Sequence, residues 1–204
     1  SVTSSGYYAV DRFKSSIGTL GTWTISQSTD SPDGFAFSYK ALCTTADASP
    51  AAGDFAAMSY HFEGQDLQFL NFGNSGAKAT TLSFYVKSNK TGNASVELQQ
   101  RDNSDKQVTF QYTINSANTW ERKIINVPGD TAGVINNDNG TGIRALWWLN
   151  SGSDFTGGSF RSTWTAEADA DRNVSNLGVG GATNDEFLIT GLQWEVGNTA
   201  TPFE

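Results

Sequence analysis

A net charge of −8, from 13 Lys and Arg against 21 Asp and Glu, leaves this 204-residue chain too acidic to displace counterions from a phosphate backbone, so nucleic acid is set aside as a partner. One cysteine allows no intrachain disulfide, and with one histidine it builds no Cys/His zinc centre; no apolar run reaches the length of a membrane-spanning helix. The length suffices for one buried core, and many aromatics beside only 17% charged residues suit strands joined by turns, so a single domain over 1–204 is expected.

In chain order, short alternating runs bounded by Gly, Pro, Asn and Asp predict about nine strands: GTWTISQS, FAFSYKALCTT, DFAAMSYHFEG, TTLSFYVKS, ASVELQQRD, QVTFQYTIN, WERKIINVP, GIRALWWLN and FLITGLQWEV. The pattern predicts an all-β fold, an antiparallel two-sheet β-sandwich of jelly-roll type. One helical turn is expected in EGQDLQFLNFG, with Leu67 and Leu70 docking on a sheet edge. Cys43 alternates with apolar neighbours and reads as a small buried hydrophobe, while His61 falls opposite Met58, Tyr60 and Phe62 and should face away from the core. The 150–186 segment is long and weakly patterned, which in a compact domain points to a functional or mobile connection.

Alternation also sorts the faces. Leu82, Phe84 and Val86, Val96 and Leu98, and Phe110, Tyr112 and Ile114 form core sets, leaving Tyr85, Glu97, Gln99, Arg101 and Gln111 on the other side. In GIRALWWLN, Trp147 joins Ile143, Ala145 and Leu149 in the core, so Trp148 joins Arg144 outside. Trp23, Trp120, Trp147 and Trp194 are expected to be buried. Tyr85, Gln99, Arg101, Arg144 and Trp148 are then expected to share one non-core surface, with Trp164 closing over it from the long segment. Such a face offers an aromatic for a sugar ring and amide or guanidinium groups for hydroxyls or a carboxylate. The competing reading has Trp148 packing under the long segment and arginines pairing with Glu97.

Catalysis finds little support. A Ser-His-Asp or Cys-His set would need His61, and the acids of EADAD, Glu167, Asp169 and Asp171, lack the strand-like surroundings and the further acid of a jelly-roll glucanase, since Arg172 stands there. The expectation is a chain that is not an enzyme.

The segments DRFKSS, STDSPDGFAFSYKALCTTADASPAAGDFAAMSYHFEGQDLQFLNFG, ATTLSFYVKSNKTGNASVELQQRDN and TFQYTINSANTWERKIINVPGDTAG, with the close DEFLITGLQWEVGNTATPFE, together resemble a domain of tail-fibre and other virion proteins of bacteriophages. EGQDLQ, NTWERK…VPGDT and the ATPFE close are the most specific pieces. The resemblance implies a carbohydrate-binding jelly roll, one module of a longer virion protein that ends at Glu204, acting outside the cell. Its implied partners are a host cell-surface glycan for attachment and other virion protein copies, as in a homotrimer. The alternatives are a structural capsid-decoration or fibre-spacer domain and, further off, a glycan depolymerase. Jelly rolls of that kind often carry Ca²⁺, so the resemblance implies a structural calcium site; Asp11 and Glu195 are its candidate ligands if the first and last strands pair at a sheet edge, and EADAD is the other candidate.

Overall fold

The computed structural model describes residues 1–8, 12–102 and 105–204. Eleven strands are formed among them: β1 (Val2–Gly6), β2 (Phe13–Ser28), β3 (Ser38–Thr45), β4 (Phe55–Glu63), β5 (Thr80–Ser88), β6 (Gly92–Gln100), β7 (Lys106–Ile114), β8 (Glu121–Val127), β9 (Thr141–Ser151), β10 (Thr165–Ala166) and β11 (Glu186–Val196). They hydrogen-bond in the order β10-β7-β6-β9-β4-β2-β3-β11-β5-β8, with β1 added to β2, and every pairing is antiparallel.

One strand turns this path into two layers. The first half of β2, Phe13 to Thr19, pairs with β4, and the second half, Thr22 to Ser28, pairs with β3. Between them the chain turns a corner: Gly18 and Thr19 both oppose Phe55, Thr19 lies at φ 56° and Gly21 at φ 66°. At Gly21 a Cβ would also stand 2.7 Å from the Thr45 carbonyl oxygen, so the corner needs glycine twice over. The first sheet is β10-β7-β6-β9-β4 with the start of β2, and the second is the end of β2 with β3-β11-β5-β8. This is the jelly-roll sandwich that the alternation predicts.

The core between the sheets is aromatic. Trp147 of β9 meets Phe84 of β5 edge-on at 5.4 Å, Tyr112 of β7 meets the same ring at 5.4 Å, and Phe62 of β4 meets Trp194 of β11 at 4.8 Å. Cys43 is buried among them as a free thiol. The turn over Gly64–Leu70 is 3₁₀-helical and docks Leu67 and Leu70, leaving Phe69 exposed.

The tryptophan expectations divide. Trp23 and Trp147 are buried, whereas Trp120 and Trp194 are half-buried, and Trp120 donates its indole N–H to Asp30 at 3.0 Å. Trp194 also shows where strict alternation fails. Period two puts Phe187 and Trp194 on opposite faces of β11, but both pack on the core, because the register slips between Thr190 and Gln193 around Gly191 at φ 59°. The sequence pattern also passes over β1, β10 and the first half of β2.

Candidate functional site

The first sheet presents a polar outer face, built by the odd residues of β6 and β7 and the residues of β4 and β9 that alternate with the core sets. Across it, Gln107 of β7 stands opposite Gln99 of β6, Gln99 opposite Arg144 of β9, and Arg144 opposite His61 of β4. Four hydrogen-bonding side chains therefore form a row perpendicular to the strands, stepping about 4.8 Å from one to the next.

Parts of the 152–185 segment, Phe155 and Arg172 among them, lie over one half of this face. Beneath them, Trp148 is 1% exposed and packs with Ala57, Leu146, Phe55 and Phe155 in an apolar cluster separate from the main core. The Trp148 indole N–H donates to Glu97 at 3.0 Å, and Arg172 reaches down from the covering segment to both Glu97 oxygens at 3.2 Å, its guanidinium 5.1 Å from the Trp148 ring centroid. Glu97 has no exposure, and burial pushes its carboxyl above the usual range despite Arg172 and Trp148. The segment is held further by Asp171, which accepts from Arg161 Nε at 2.6 Å and from the Ser159 backbone N–H, and by Asn173, which donates to Ser151. Trp148 is therefore a structural residue here. The exposed indole expected from its position is corrected by the segment that covers it.

The other half of the face, at the His61–Glu63 end of β4, the Thr141 end of β9 and the start of β2, is open. A concavity of about 300 Å³ is lined by Tyr7, Arg12, His61, Glu63, Asn139 and Thr141. Tyr7 stands at its wall, exposed, with its ring 6.0 Å from the His61 imidazole and Lys14 Nζ 5.9 Å from its centroid. His61 bonds Thr141 Oγ1 through Nδ1 at 3.1 Å and Ser59 Oγ through Nε2 at 3.2 Å. Burial, then Arg144, Lys14 and Arg101, lower its pKa to about 4, so the ring is neutral at physiological pH. The Ser59–His61 contact has the outline of a nucleophile and its base. Yet Ser59 is wholly buried, a hydroxyl stands where an orienting carboxylate would, and an imidazole near 4 is a weak base.

Arg144 stands beside His61 in the sheet register and is half-buried. Its Nε donates to Gln99 Oε1 at 2.9 Å, its Nη2 makes a second bond to the same oxygen, and Gln99 in turn donates to Glu167 at 2.7 Å. Glu167 belongs to the covering segment, so Gln99 links the covered half to the open one. Arg101 borders the same side through ion pairs to Asp105 at 3.1 Å and Glu167 at 3.5 Å.

Of the residues expected on one surface, Gln99, Arg101, Arg144 and Trp148 belong to this face. Tyr85 does not: β5 lies in the second sheet between β11 and β8, where Tyr85 packs on Phe35 at 5.4 Å. Trp164 does not close over the face either. It donates to the Pro128 carbonyl at 2.7 Å and meets Phe72 edge-on at 5.7 Å, packing against the main core. Tyr7, Lys14 and Thr141 were missed by sequence reasoning, and no motif marks them. His61 was read as a solvated sheet residue; its parity with Arg144 could have drawn it in.

Among the described residues, the candidate calcium ligands are bonded to other groups. Asp11 lies outside the described residues. Glu195 accepts from the Thr201 backbone N–H and hydroxyl, and β11 is flanked by β3 and β5, not by the first strands. In EADAD, Glu167, Asp169 and Asp171 are each paired with an arginine. Among the described residues, no group of three His, Cys, Asp or Glu gathers to hold a metal ion.

No family model matches the chain, and no curated protein does. Solved structures do. The C-terminal family 22 carbohydrate-binding module of Clostridium thermocellum Xyn10B aligns with TM-score 0.50 at 11% identity, covering 94% of this chain and 90% of that one. The fold is the jelly roll of carbohydrate-binding modules. A family 11 carbohydrate-binding module from Clostridium thermocellum, in complex with a β-1,3-1,4-mixed-linked tetrasaccharide, aligns at 10% identity and TM-score 0.48 over 92% of this chain and 90% of that one. The enzymatically active domain of tailspike protein 4 from bacteriophage CBA120 aligns at 13% identity and TM-score 0.49 over 91% of this chain, which spans only 19% of the tailspike chain.

Proposed function

We propose that this chain is a non-catalytic carbohydrate-binding domain that takes a glycan across the open half of the first sheet's polar face. The observation that carries the reading is the transverse row ending in Arg144 and His61, which opens into the concavity walled by Tyr7. Tyr7 offers a flat ring to the apolar face of a sugar, and Arg144, Thr141 and Asn139 offer donors and acceptors to its hydroxyls. Because the row is built on paired strands, its spacing is fixed before ligand arrives, and little ordering cost is left to the binding step. In the cell's context we place the domain on a virion appendage, where it attaches the particle to host surface glycans.

A glycan array probed with the isolated chain and with Tyr7→Ala tests this. Binding by the wild type that falls about tenfold in the variant, with an unchanged melting midpoint, is expected for loss of one stacked ring. A second reading, a structural spacer, is favoured by the exposed Phe37 and Phe203 beside the second sheet, where neighbouring copies could cover them. Light scattering separates the two: a monomer that binds glycan supports the first reading, an obligate oligomer that binds none supports the second.

A further inference from the structure

We propose that the ligand of this face is an anionic glycan, whose carboxylate or sulfate is taken by Arg144 with Lys14 alongside. The inference rests on the carbohydrate-binding reading and narrows it to one charge class. Its ground is a mismatch of partners. Arg12 is paired with Glu63 and Asp66, Arg101 with Asp105 and Glu167, Arg161 with Asp171, and Arg172 with Glu97, Glu167 and Asp169. Arg144 has no carboxylate within ion-pair distance among the described residues, although it is half-buried; its only bonds go to the neutral Gln99 amide oxygen.

A partly desolvated guanidinium with no counter-charge is unfavourable unless something supplies one. Arg122 is similarly without an acid, but it lies on the second sheet, where Ser83 and the Thr201 carbonyl occupy it. Around Arg144 the neighbours make the mismatch larger. Lys14, on the adjacent part of β2, has no ion-pair partner among the described residues and lies over Tyr7, and His61 between them is neutral. Burial pulls Arg144 below the usual guanidinium range, and the charges of Arg101 and Arg172 add to it while Glu97 and Glu167 oppose it.

The nearby acids are bonded to other groups, Glu97 to Arg172 and Trp148. Glu167 is held by Gln99, Arg101 and Arg172 on the side of the covering segment, and Glu63 turns to Arg12 at the opposite rim. Among the described residues, Arg144 and Lys14 lie between these rims without an ion-pair partner, and Glu63 is the carboxylate that lines the concavity. Gln99 takes up one edge of the planar guanidinium, through Nε and Nη2, and leaves Nη1 for an oxyanion. In a protein of net charge −8, this local sign reversal is what a selective anion site requires to overcome repulsion at longer range.

Affinity electrophoresis in gels containing matched polymers tests the charge class. The pairs are polygalacturonate against its methyl ester, and dextran sulfate against dextran, with xylan as an unrelated neutral glycan. The wild type, Arg144→Gln, Lys14→Gln and Arg122→Gln are compared at physiological salt, with melting midpoints measured for each. The expected result is retardation by at least one charged polymer and not by its neutral counterpart, weakened about tenfold or more in Arg144→Gln, less in Lys14→Gln and unchanged in Arg122→Gln. Retardation by polygalacturonate alone assigns a uronate, and by dextran sulfate alone a sulfated sugar. Equal retardation by neutral partners, or equal weakening in Arg122→Gln, overturns the inference while leaving the carbohydrate-binding reading in place. Retardation by none of the five polymers, with no glycan bound on the array, overturns both.

Discussion

The two halves of the first sheet's outer face share strands and parity, yet they have opposite fates. At the Phe55–Ala57 end of β4 and the Leu146–Trp148 stretch of β9, with Glu97 of β6 beside them, the surface is sealed by Phe155 and Arg172 and becomes a second small core. Toward the other ends of the same two strands, the same alternation leaves His61 and Thr141 at an open concavity, with Arg144 beside His61 in the register. Period two therefore decides which side of a sheet a residue is on, but what lies above that side decides whether it binds or packs. Here the dividing line runs through Gln99, which bonds Arg144 on one side and Glu167 on the other.

Substitutions in the covered half should lower stability most. Trp148→Ala removes a buried indole and its bond to Glu97, and should destabilise the fold by about 3–5 kcal/mol in chemical denaturation. Unchanged stability would mean that the covering segment does not depend on this cluster. Arg172→Ala strips the only guanidinium from a fully buried carboxylate; it should cost about 3 kcal/mol, and Glu97→Gln in the same background should recover part of it because the uncompensated charge is gone. A double mutant no more stable than Arg172→Ala would contradict that account.

The open half should respond weakly in stability and strongly in binding. Tyr7→Ala, at an exposed ring, should change stability by no more than about 0.5 kcal/mol, and Lys14→Gln, at a half-buried side chain without an ion pair among the described residues, by a similarly small amount. A larger loss for Tyr7→Ala would make it a packing residue. The smallest effect concerns pH. With its folded pKa lowered to about 4 from 6.5, His61 stays neutral in the native state while the unfolded chain takes up a proton. Stability should therefore rise as pH increases from about 4 to 6.5 and level off above. Solvent screening at this half-exposed site keeps the contribution to the order of 1 kcal/mol at most. His61→Gln should flatten that part of the profile, and a profile identical to the wild type would show that the imidazole is not held neutral.

Much of the fold was legible because nine strands carry clear alternation. The rest was hidden for physical reasons. The first half of β2 reads FKSSIGT, and its inward serine is buried through a 2.7 Å bond to the Tyr39 hydroxyl, so polarity masks a core position. The bulge at Gly191 reverses the parity of Trp194, which no pattern of two can show. Tyr85 was assigned the correct side of a strand but joined to the wrong sheet, since parity carries no information on strand adjacency. Arg144 and Gln99 were visible as outward polar residues beside core sets. The concavity was not, because Tyr7 comes from a segment without alternation and is brought to His61 only by the β1–β2 pairing.

The division of the face is tested most directly by amide hydrogen exchange, with and without a saturating concentration of the glycan that the array and gels identify. The account predicts ligand-dependent protection around Tyr7, His61 and 141–144, with residues 153–172 and the Tyr85 strand unchanged. Protection centred on the covering segment, or on the second sheet, would contradict it.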